Sequence, residues 1–152
     1  MEQQNKVPEG LQHHPIIGVD NYPQYDGLHK SDSDAKALSV GIAQWDYEDE
    51  NGIKDISAKV FRNNGERWSR QSEELPLHRC LDLCILIVQA LQKSTKGEFF
   101  ETKEECVKPR VINENDLKLI KSYYDYNKSE GRCLREKMEY LKDLLNRFLS
   151  QT

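Results

Sequence analysis

Residues 68–91 read WSRQSEELPLHRCLDLCILIVQAL. The second half is the most apolar run in the chain and predicts the helix on which a core is built. Pro76 suits a first helical position, where its missing N–H would have no partner anyway. Glu73 and Glu74 put negative charge where a helix start favours it. From Leu77 the residues Leu77, Leu81, Cys84, Val88 and Leu91 recur at steps of three and four. Cys80, Leu83, Ile85, Leu86 and Ile87 widen the apolar arc, so the pattern predicts a helix buried on most of its surface, with Cys80 and Cys84 inside. Gly97 is a plausible stop. The polar groups fall on a narrow stripe of His78, Arg79, Asp82, Gln89 and Lys93, on which His78 and Asp82, four apart, can touch.

Upstream, residues 1–14 read as a mobile tail and Pro15 to Val19 as a short strand. Asn21 to Asp34 is a polar loop rich in turn formers, with Tyr22 and Tyr25 in it; a loop of this length is often functional. Residues 35–45 fit either a helical stripe (Ala35, Leu38, Ile42, Trp45) or strand alternation (Leu38, Val40, Ile42). Gly41 and the hairpin pair Asn51-Gly52 favour a strand from Leu38 to Asp46. Ile53 to Arg62 alternates as a second strand. Asn64-Gly65 turns the chain again, and Glu66 to Arg70 returns as a third strand.

Downstream, Glu98 to Glu101 fits a short strand, and Thr102 with Glu105 matches a capping box. Asn113 or Asn115 caps a helix through about Tyr126. Leu134, Met138, Leu141, Leu145 and Phe148 mark a last helix whose seam can serve the chain's own core or a second chain. The predicted fold is α+β: a small antiparallel meander packed on a central buried helix, with two C-terminal helices, residues 15–152 forming one domain behind the tail.

With 152 residues the chain can bury a real core. It is 37% hydrophobic and 32% charged, but the apolar residues cluster, which favours a core with a charged skin over disorder. A net charge of −4 argues against non-specific nucleic-acid binding. No stretch has the make-up of a signal peptide or the length of a membrane span, and four cysteines without a CxxC pair fit reduced thiols, so the expected location is cytoplasmic.

The densest set of chemically able side chains is the junction before and into the central helix: Trp68, Arg70, Gln71, Glu73, Glu74, His78, Arg79 and Asp82. Lys59 and Arg62 of the paired strand can approach it. A histidine with a carboxylate four residues away can be an oriented general base. Arginines near a helix start can bind a phosphate or carboxylate. The bland alternative is a surface pair with arginines neutralising Glu73 and Glu74. Glu74, His78 and Asp82 are spaced for metal ligation, but one helix rarely closes a site, and no metal or cofactor is expected. Nucleophile elbows and phosphate loops are absent from the sequence.

The stretches LSVGIAQWD (residues 38–46), ISAKVFR (56–62) and WSRQSEELPLHRCLDL (68–83) resemble an uncharacterised bacterial domain-of-unknown-function family of short proteins. The resemblance lies within residues 38–83 and implies no activity. Two readings therefore stay open. One is a non-enzymatic binding module that recognises a protein partner or an anionic small molecule through the junction. The other is a small hydrolase or transferase using His78 with Glu74 or Asp82. The oligomeric state does not follow from the sequence.

Overall fold

The computed structural model describes residues 5–26, 30–45, 48, 50, 52–63, 65, 67–69, 74–127 and 134–151. Five strands form one sheet: β1 (His14–Val19), β2 (Ala35–Ile42), β3 (Ile56–Asn63), β4 (Trp68–Ser69) and β5 (Arg110–Val111). Their order is β4-β3-β2-β1-β5 and every pairing is antiparallel, so the first four strands are a meander. Three helices follow the meander: α1 (Leu77–Lys96), α2 (Leu117–Asn127) and α3 (Leu134–Leu149). The α+β architecture is the one read from the sequence.

The ambiguous segment is the strand β2. It starts three residues before the expected Leu38 and ends at Ile42. Leu38 pairs with Val19 on one side and Val60 on the other, so its backbone groups are satisfied as a central strand. Gly41 belongs to this geometry, because a Cβ there would lie 2.1 Å from the carbonyl oxygen of His14, beside the register shift in β1. Gly52 and Gly65 have φ of +77° and +101°, as hairpin turns require. Asn51 and Asn64 lie outside the described residues.

Alternation puts Val60 on one face of the sheet and Phe61 on the other. On the helical face, Ile17, Val19, Leu38 and Val40 meet Leu86 and Ala90 of α1 and Ile120 of α2. The opposite face holds a smaller cluster of Val7, Ala37 and Phe61, with Leu11, Trp68 and Ile112 against it. The described part of the expected tail, residues 5–14, is therefore packed. The Val7 N–H donates to Asp20 Oδ1 at 2.8 Å, and His13 is buried between Ser39 Oγ (2.9 Å) and Ser57 Oγ (3.3 Å).

After α1 the chain departs from the expected pattern. Gly97 ends the helix in the left-handed conformation, its N–H donating to Lys93 O at 3.0 Å. Glu98 to Glu101 is not a strand. The buried Gln89 side chain takes a strand's place, donating to Phe100 O at 3.0 Å and accepting from Phe100 N–H at 2.8 Å. Thr102 to Glu105 is not helical; the chain makes a single turn there, closed by the Cys106 N–H on Lys103 O at 3.0 Å. The unforeseen β5 is two residues long, too short for any periodicity, and is held by pairing to β1 and by the Arg110–Asp20 ion pair at 2.6 Å.

The larger correction concerns which way α1 faces. At 100° per residue, Leu77, Leu81, Cys84 and Val88 fall within an arc of about 60°. That arc points outward: Leu77 is 83% exposed and Leu81 59%, and Cys80 and Cys84 are exposed too. Arg79, Leu86, Gln89 and Ala90 are buried instead. Much of the stripe read as polar and outward is the inward face in the first turns of the helix. The C-terminal helix shows the same property. Leu134 and Met138 pack on the core, but from Glu139 to Leu149 every residue is exposed.

Candidate functional site

The inward turn of α1 has its cause in the loop after β1. Asn21 adopts a left-handed backbone (φ 54°), and Tyr22–Tyr25 follows as a 3-10 turn with Pro23 near its start. The Asp26 N–H closes the turn on Pro23 O at 3.2 Å. This brings Tyr22 and Asp26, both fully buried, against the first turns of α1.

Asp26 is the centre of the cluster. Arg79 donates to it with both arms of its fork, Nε to Oδ1 at 3.2 Å and Nη2 to Oδ2 at 2.8 Å. His78 Nε2 donates to Oδ1 at 2.8 Å, and Ser33 Oγ donates to Oδ2. Burial acts to raise the Asp26 carboxyl. The donors, Arg79 foremost and then Ser33 and His78, outweigh it and hold the group below the usual carboxylate range. One turn on, Tyr22 Oη donates to Asp82 Oδ2 at 2.6 Å. Burial first, then the bond to Asp82, pushes the phenol far above its ordinary range, so it stays a donor. Asp82 is shifted upward, chiefly by burial, against the opposing effect of the Tyr22 bond.

The predicted junction residues therefore divide. His78, Arg79 and Asp82 come together, but the carboxylate that His78 meets is Asp26, 52 residues earlier in the chain. Arg79 is 5% exposed and its fork is filled by Asp26, so it is not presented to a ligand. Trp68 stands edge-on to Phe61, 5.8 Å between ring centroids, in the cluster on the far face of the sheet. Glu74 is exposed. Arg70, Gln71 and Glu73 lie outside the described residues. Arg62, expected to approach the junction, donates to Asp34 Oδ2 at 2.8 Å. Sequence reading missed Tyr22, Asp26 and Ser33. The available signal was an arginine on a largely apolar helix, which must find a carboxylate if it is buried.

Two other features border this cluster. An open polar cavity of about 390 Å³ lies beside Ser33, lined by Lys30, Lys36, Asp32 and Asp34 among others, with both signs of charge balanced along it. On the other side of α1, the arc from Leu77 to Val88 leaves four large apolar side chains exposed. Among the described residues no cluster of three potential metal ligands occurs, and no helix is long and apolar enough to cross a membrane.

Fold and site together define an α+β protein: a meander sheet covered on one face by helices, with a buried Asp–Arg pair, joined by the half-buried His78, locking the first helix in place. A family model described as "Family of unknown function (DUF6530)" matches residues 5–150. The chain belongs to that family. No curated protein and no solved structure matches it.

Proposed function

We propose that the chain is a protein-binding module and that its docking surface is the outward face of α1. The observation that carries this reading is the exposure of Leu77, Leu81, Ile85 and Val88 on one side of one helix. Scattered exposed leucines are ordinary, but a contiguous stripe of them marks a surface that is covered in use. Among the described residues no charged side chain of α1 interrupts it, because Arg79 and Asp82 are turned inward by Asp26 and Tyr22. An anionic small molecule is less well supported, since the guanidinium best suited to grip it is occupied.

The test is affinity capture from the native host with the tagged chain, comparing wild type with Leu81→Glu and His78→Ala. Wild type and His78→Ala should retain the same protein and Leu81→Glu should lose it. An identical captured set for wild type and Leu81→Glu would refute the reading. A second reading rests on the bond from His78 Nε2 to the buried Asp26 carboxylate, in which the acid orients a ring 37% exposed at its side chain. That arrangement supports a general base in a hydrolase or transferase. It is weaker, because Arg79 already neutralises Asp26. Loss of a measured hydrolytic turnover in His78→Ala, with capture unchanged, would favour it.

A further inference from the structure

We infer that the partner of the α1 face is a second copy of this chain, and that the exposed seam of its α3 lies on that face in a reciprocal exchange. The inference rests on the binding-module reading above and names its occupant.

Among the described residues two apolar helix faces are bare, and they match. On α1 the face carries Leu77, Leu81, Ile85 and Val88; on α3 the seam carries Leu141, Leu144, Leu145 and Phe148, the last 65% exposed. Both recur at steps of three and four, the spacing at which helices interdigitate. The α3 seam also needs a cover on its own account. Eleven of its residues, from Glu139 to Leu149, are all exposed, and a helical extension of that length is marginal in water without a buried face. The Arg135–Glu139 and Asp143–Arg147 pairs add little, because exposed pairs one turn apart are weak.

A second copy fits the size of the surface. Four large apolar residues on α1 and four along the α3 seam are exposed. If each removes on the order of 60–100 Å² from water, two copies exchanging α3 bury roughly 1,000–1,600 Å², the range of a stable interface. The contact also closes on itself: α3 of each copy covers α1 of the other, which is the two-fold arrangement most oligomers use. Neither face carries a charge at its centre that would select a differently charged partner.

The experiment is sedimentation or light scattering of the full chain across micromolar concentrations, with Leu81→Glu on α1 and Leu145→Glu on α3. Wild type should have twice the chain mass. Each variant should weaken the dimer at least about tenfold, since a charge then faces an apolar seam, while keeping a cooperative urea transition. Mixing the two variants should restore dimer, because one of the two α3–α1 contacts in the mixed species carries no glutamate. A wild type that is monomeric throughout, or a dimer untouched by both variants, overturns the inference. A dimer lost in both variants but not recovered on mixing overturns the α3-on-α1 pairing. A monomeric wild type that still captures another protein through Leu81 removes only the second copy. A monomer that captures nothing removes the binding-module reading as well.

Discussion

Replacing Arg79 by Ala tests the cluster that orients α1. Asp26 has no exposed surface and receives four hydrogen bonds, two of them from Arg79. Without the guanidinium, the buried carboxylate keeps only Ser33 and His78. Removing one partner of a buried ion pair costs about 3–5 kcal/mol, a large share of the roughly 5–15 kcal/mol by which a domain is stable. Arg79→Lys keeps the charge but loses the fork and one charge-assisted bond, so its cost should be about 1.5–3 kcal/mol. Asp26→Asn strands the guanidinium and should resemble Arg79→Ala. The double variant should be less destabilised than the sum of the two, with a coupling of about 2 kcal/mol or more. Urea unfolding followed by tryptophan fluorescence measures this, as midpoint shifts at unchanged slope. If Arg79→Ala lies within about 1 kcal/mol of wild type, or the two losses add within about 0.5 kcal/mol, the ion pair does not hold the helix. The opposite expectation, an intact fold with lost ligand binding, follows from treating Arg79 as a surface fork.

Three further outcomes follow from the same geometry. Leu86→Ala should cost about 2–5 kcal/mol as a fully buried truncation and Leu81→Ala below about 1 kcal/mol in the monomer, read by the same urea titration; equal costs would mean that α1 is rotated differently. Asp82→Asn should be neutral within about 1 kcal/mol or stabilising at neutral pH, because the shift of Asp82 is upward and an amide oxygen still accepts from Tyr22, whereas Asp26→Asn should not be. His13 is pushed down from 6.5 to about 4 by burial and by the charges of Lys59 and His14. The unfolded chain therefore takes up that proton first: the contribution is full above about pH 6.5, falls as pH drops towards 4, and is worth about 3 kcal/mol. The difference in stability between wild type and His13→Gln should shrink across this window, and a difference independent of pH would show that His13 is not held neutral.

Local rules made several elements of this chain legible in its sequence. The limits of α1 follow from Pro76 and Gly97, and the last helix follows from the repeat Leu134, Met138, Leu141. Strand alternation and the glycines at 52 and 65 make the meander, and His78, Arg79 and Asp82 stood out as the able groups of the junction. Each depends on residues a few positions apart. The rotation of α1 does not. It is set by Asp26 and Tyr22, 53 and 60 residues before their partners Arg79 and Asp82, because a buried carboxylate must be met by donors that only another part of the chain can bring. Periodicity alone finds an apolar stripe and turns it inward, because it cannot count charges that arrive from another loop. The same limit applies to the tail and to α3: whether Val7 or Leu145 is covered depends on surfaces that exist only once the sheet and helices have come together.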